Sequence, residues 1–161
     1  MKKSNYIIFL SVFFSTLVYS QEILVLGCEG EITQVTSKLH STKPKENTKE
    51  TRKIVTDIQI DKKNKIMKVQ NQELDICGWG GEDKCVCNFD ENNYECKLEQ
   101  KLNTENTDSE NNARLLIGRK TGTTHFQNLY YSTYKMDSGY QTFIYQTSGQ
   151  LNCEIKKTNK F

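Results

Sequence analysis

Proline is all but missing from this chain: Pro44 is the only one in 161 residues, and Trp79 is the only tryptophan. No apolar run is long enough to cross a bilayer. The longest, Tyr6 to Val18, falls short of the roughly 20 residues that a spanning helix needs, which argues against a transmembrane anchor. Charge excess is lacking too. The 22 basic residues face 20 acidic ones, and Lys2 and Lys3 at the start account for the surplus. With no basic patch among the mixed-sign stretches, nucleic acid is not an expected partner. Helix-period apolar patterns are absent beyond residue 20, which disfavours a helical fold. No serine sits in the glycine pattern of a nucleophile elbow, and no catalytic, nucleotide or cofactor motif stands out.

What is present begins with a leader. Basic Lys2 and Lys3, the apolar run and the small Ser20 make a signal peptide over residues 1–20, with cleavage after Ser20. The alternative is lipoprotein processing before Cys28, because Val25-Leu26-Gly27-Cys28 loosely resembles a lipobox; Gln21 and Glu22 interrupt the apolar run that such processing needs. Either route implies a secreted or periplasmic protein. Residues 21–161 fit a single domain. The hydrophobic fraction is 35%, with the leader taking a disproportionate share, so the core is thin and partly aromatic.

Alternation pervades the rest. Ile54, Thr56, Ile58 and Ile60 fall on one side of an extended segment, with Lys53, Val55, Asp57 and Gln59 on the other. Asp61-Lys62-Lys63-Asn64 is turn chemistry, and Ile66 to Val69 resumes the strand, so residues 52–70 form a hairpin. Arg114 to Gly118 and Thr123 to Tyr134 flank the turn Arg119-Lys120-Thr121-Gly122. Further turns at Asp137-Ser138-Gly139 and Ser148-Gly149 make four consecutive strands. With Glu22 to Cys28, Glu31 to Thr36 and the cysteine-bearing segments, the expected fold is all-β. It is an antiparallel meander of roughly 8–10 short strands closing into a small barrel or sandwich. Lys38 to Arg52 and Glu99 to Asn112 are polar and poor in apolar residues, and read as mobile loops; the functional alternative is a binding loop that orders on a partner.

Six cysteines, an even number in an exported chain, point to disulfides. Cys28 lies on the first strand and Cys153 on the last, and these strands are neighbours in a closed barrel. A bridge there contributes about 5 kcal/mol in the chain-entropy model, against roughly 2.6 for a short loop such as Cys77 to Cys85. Cys85 and Cys87 share one strand face, so each reaches a different neighbour. The pairing is Cys77–Cys85 with Cys87–Cys96, or Cys77–Cys87 with Cys85–Cys96, and either staples a hairpin bending at Gly78 to Gly81. Four thiolates also suit tetrahedral zinc, but structural zinc sites present close pairs, and only one exists here. A redox-active Cys-x-Cys is the third reading.

Other candidate sites are thin. Ser132 with His125 is a nucleophile–base pair on paper, and Glu29 with Glu31 shares a strand face as acid/base chemistry might require, yet half-exposed histidines and solvated carboxylates are the ordinary state of strands. The aromatics are a better clue. Tyr130, Tyr134, Tyr140 and Tyr145, with Phe126 and Phe143, crowd the last meander, where they line a core or form a binding surface. Trp79, flanked by glycines, is a candidate contact anchor.

Cys28-Glu29-Gly30, the I-D-K-K-N-K hairpin at Ile60 to Lys65, the R-K-T-G turn at Arg119 to Gly122 and the terminal G-x-x-x-C at Gly149 to Cys153 together resemble small exported bacterial proteins with a lipocalin-like or calycin-like β domain. The resemblance covers most of the chain beyond the leader. It implies a β barrel but no activity, cofactor or functional residue. The G-x-W of a true lipocalin's first strand is absent, since Gly78-Trp79-Gly80 lies mid-chain. The expected function is a non-enzymatic binding module for a protein partner, for instance as an inhibitor, or for a small apolar ligand. A structural or surface-interaction protein is the alternative, and an enzyme the third.

Overall fold

The computed structural model describes residues 23–80 and 84–156, with the side chains of Trp79 and Gly80 outside the description. The leader reading falls on residues 1–20 and lies outside the described residues. Strands β1 (Ile23–His40), β2 (Lys43–Asp61) and β3 (Ile66–Val69) precede a short helix, α1 (Ile76–Gly80). Strands β4 (Cys85–Phe89), β5 (Asn93–Asn103), β6 (Thr107–Gly118), β7 (Thr123–Met136) and β8 (Gly139–Ile155) follow. They form one eight-stranded antiparallel sheet in the order β3-β2-β1-β8-β7-β6-β5-β4. Every pair of consecutive strands is hydrogen-bonded except β3 and β4, and β8 returns to pair with β1. Between β8 and β1 the ends of the chain zip together from Leu26↔Ile155 to His40↔Gln141. Between β3 and β4 the barrel stays nearly, but not fully, closed, and α1 packs against both sides of that seam.

Turn chemistry sets the corners. The Asp61 carboxylate accepts from the Lys63 and Asn64 amides and the Asn64 side chain, and Lys65 leaves the turn at φ 54°. Asp90 does the same for the Asn92 and Asn93 amides. Between β6 and β7, Gly122 takes φ +69°, a conformation that L side chains avoid, and its carbonyl accepts from the Cys153 amide at 2.9 Å.

The core fills one half of the barrel. Ile54, Thr56, Ile58 and Ile60 are buried as their alternation predicts, while Val55 is exposed. Leu26, Ile32, Leu98, Leu115, Phe126 and Leu151 meet them from the other strands, with Leu74 and Ile76 entering from the seam. Cys28 and Cys153 stand directly opposite each other, and their disulfide joins the first and last strands as expected. With its sulfur bonded to Cys153, Cys28 has none left for a lipid.

Several expectations are corrected. Residues 38–52 and 99–112 are not long loops: apart from short turns at 41–42 and 104–106 they are paired strand in β1, β2, β5 and β6. Hydrophobicity misreads them because their ladder is held by backbone hydrogen bonds and polar cross-strand pairs, such as Lys38↔Glu46, Lys101↔Glu110 and the Thr33–Thr51 hydroxyl contact. Residues 23–40 are one strand, not two. Ser148-Gly149 is no turn, since β8 runs through it. A Cβ on Gly149 would stand 2.6 Å from the Glu31 carbonyl oxygen and 2.6 Å from Ile32 Cγ2, so the glycine permits a close strand approach. The meander after residue 107 therefore has three strands. Gly78 to Gly80 belongs to α1, so Cys77–Cys85 ties that helix to β4, and only Cys87–Cys96 staples a hairpin.

Candidate functional site

Side chains that face inward on β1, β8, β7 and β6 line up in rungs, and the chemistry of the rungs changes abruptly along the barrel axis. Ile32, Gly149, Phe126 and Leu115 form the last apolar rung. The next is Gln34, Thr147, Asn128 and Ala113; then come Thr36, Tyr145, Tyr130 and Asn111, and then Lys38, Phe143, Ser132 and Ser109. The strands continue past the end of the apolar core, and this half has no β3, α1 or β4 across its seam. The result is a trough, open along one side, floored by aromatics, amides and hydroxyls.

Its aromatics touch. Tyr130 and Tyr145 have ring centroids 6.0 Å apart, Tyr134 meets Phe143 edge-on at 6.1 Å, and the Lys38 ammonium lies 5.9 Å from the Phe143 ring centre. At the foot of the trough, Gln34, Asn128, Tyr145 and Thr147 line a cleft of about 290 Å³, closed from the seam by Gln72 and Glu73. Glu73 is held there by an ion pair with Arg52 of β2. Three polar atoms facing this interior, Asn111 Oδ1, Asn128 Oδ1 and Ser132 Oγ, are buried with no hydrogen-bond partner among the described residues. Buried polar atoms are normally satisfied, so three orphans on adjacent rungs are unusual.

Of the residues singled out from sequence, Tyr130 and Tyr134 lie together in this trough. Tyr140 is on the opposite face of β8 and exposed, and the side chain of Trp79 lies outside the described residues. His125 and Ser132 point to opposite faces of β7, seven residues and so about 23 Å apart, which dissolves the nucleophile–base pair. Glu29 and Glu31 are exposed on the outer face. The Sγ atoms of Cys77, Cys85, Cys87 and Cys96 lie within 4.8 Å of one another, as a metal site would require. All four are in disulfides, which leaves no thiolate to serve as a ligand. Asn111, Asn128 and Thr147 were not legible as site residues. Their common signal is the step of two from Asn128 through Tyr130 and Ser132 to Tyr134, which puts an amide and a hydroxyl on the tyrosine face.

On the outer face, Glu110 accepts from the Asn112 side chain at 2.7 Å and the Tyr131 hydroxyl at 3.0 Å, with Lys101 at 3.3 Å. These bonds hold its carboxyl below the usual range, and the same bond to Glu110 pushes the Tyr131 phenol up.

No family model, curated protein or solved structure matches this chain. No helix among the described residues is long and apolar enough to cross a membrane. The fold is a disulfide-stapled, nearly closed β barrel, and the class of site it presents is an open trough of tyrosine, amide and hydroxyl groups.

Proposed function

We propose that the protein is an exported, non-enzymatic binding module whose trough takes a segment of a protein partner. The observation that carries this reading is the Tyr130–Tyr145 pair in the open trough, with the amide and hydroxyl side chains of Gln34, Asn128 and Thr147 lining the cleft beside it. Side-chain amides and hydroxyls that line a cleft can pair with the backbone groups that an extended peptide presents at regular intervals. Tyrosine, serine and asparagine together are the composition of protein-recognition surfaces: rigid amphipathic rings for contact area, short polar groups for adaptable hydrogen bonds. A trough open along one side admits a continuous chain. Three disulfides favour an oxidising compartment, supporting the export reading. The up-and-down strand order with β8 beside β1 supports kinship with lipocalin-like exported proteins.

The test is to pan a random peptide library against the oxidised protein and measure the selected peptides on two variants. The double variant Tyr130→Ala/Tyr145→Ala should weaken binding at least about tenfold, as loss of a contact anchor does, while Tyr140→Ala on the outer face leaves it unchanged. Peptides that never enrich, or that bind the trough variant equally well, would refute the proposal. So would a glycan array that lights up through Tyr145 when no peptide binds.

A further inference from the structure

The opposite end of the barrel carries a second feature, independent of the trough. Here the core opens into a cavity of about 420 Å³, within the size range of small-molecule sites. Its lining is mixed: Leu24 of β1, Ile155 of β8, and Tyr94 and Ile117 of β5 and β6 supply the apolar part, and Thr121 with the charged turn residues the polar part. Its charged lining residues are Lys62 on the β2–β3 turn and Arg119 and Lys120 on the β6–β7 turn, all cationic.

The cations are placed rather than scattered. Arg119 is stacked over Tyr94 with its guanidinium carbon 5.0 Å from the ring centre, and it donates to the Asp90 carbonyl at 2.5 Å. Lys62 and Lys120 make no ion pair among the described residues. Of the carboxylates on the adjoining turns, Asp61 and Asp90 are engaged with amides of their own turns and Glu91 is exposed, and none of the three lines the cavity. A partly apolar hollow that no side chain among the described residues fills, rimmed by one sign of charge without a countercharge in its lining, matches one ligand chemistry: a hydrocarbon with an acidic head.

We infer that this mouth binds an anionic amphiphile. A single acyl chain lies against Leu24, Tyr94, Ile117 and Ile155, and its carboxylate or phosphate sits between Lys62 and Lys120. The floor limits the depth, because Leu26 and the Cys28–Cys153 disulfide close the barrel beneath it. The site therefore selects the end of a chain rather than swallowing a whole one.

The experiment uses the oxidised, isotope-labelled protein and monomeric dodecanoate, with dodecanol and acetate as the tail-only and head-only probes. Dodecanoate should shift the amides of residues 61–65 and 118–122 saturably. Dodecanol should bind about tenfold more weakly, and acetate should produce no saturable shift. The surface variant Lys62→Gln/Lys120→Gln should lose about tenfold in dodecanoate affinity, roughly what two exposed charge contacts supply, with dodecanol unchanged. Dodecyl phosphate in place of dodecanoate distinguishes the two head groups, and saturable binding of either supports the site. Equal binding of dodecanol and dodecanoate, or shifts confined to the trough, would overturn it. So would co-sedimentation with phosphatidylglycerol vesicles without any response to the monomeric acids, since the basic rim would then be reading a lipid surface.

Discussion

At the scale of single residues, Gly122 and the Glu110–Tyr131 pair show what individual groups contribute. Gly122 combines a left-handed backbone with contact against the Cys153 carbonyl, where an added Cβ would collide. Gly122→Ala should therefore destabilise the fold by at least about 1 kcal/mol, read as a lower midpoint in urea, because strain and overlap act together. The pair acts through pH. Folded Glu110 holds its proton more weakly than in the unfolded chain, so its contribution is present above the unfolded carboxylate pKa and lost as pH falls through the folded one. Tyr131 is shifted upward, so its contribution is present below the unfolded phenol pKa and lost as pH rises through the folded value. Tyr131→Phe should flatten the alkaline arm of the Tm–pH curve and weaken the acid arm. A curve unchanged at both ends would show that the bond contributes nothing to stability.

Among the elements, β2 is the most exposed to misuse. From Lys43 to Lys53 it pairs with β1 alone, so a long row of backbone donors and acceptors faces outward. Unprotected edges recruit other chains, and this one carries Lys43, Lys45, Lys49, Arg52 and Lys53 with Pro44 near its start. The charge that made this segment look like a loop therefore serves the edge of a sheet. Lys45→Val/Lys49→Val/Lys53→Val should raise the mass measured by light scattering in a concentration-dependent way, while circular dichroism keeps its β signature. An unchanged mass would mean that Pro44 and the strand's twist suffice.

The whole molecule is held by where its cross-links fall. Cys28–Cys153 spans 125 residues, against 8 for Cys77–Cys85 and 9 for Cys87–Cys96. In the chain-entropy model the long bridge contributes about 5 kcal/mol and Cys87–Cys96 roughly 2.6. Cys28→Ala/Cys153→Ala should therefore lower the unfolding free energy about twice as much as Cys87→Ala/Cys96→Ala, and its β1–β8 amides should lose exchange protection first. Equal losses would place the stabilisation in local packing instead. Intact mass measured without and then with reductant should show a gain of two hydrogens for each disulfide.

By itself the sequence determined the strand character, most of the turns and the presence of a covalent frame, because those depend on neighbours within a few residues or on composition: alternation at Ile54 to Ile60, the Asp61 to Asn64 turn, an even count of cysteines. It also showed the tyrosines concentrated in the last meander. Only the tertiary structure decided that 38–52 and 99–112 are mainly strand, since a polar ladder is stabilised by its partner strand and leaves no local hydrophobic trace. It alone decided which cysteines of the Cys77 to Cys96 group pair. The trough and the basic mouth also arise there, because each is assembled across strands whose register joins residues more than a hundred positions apart.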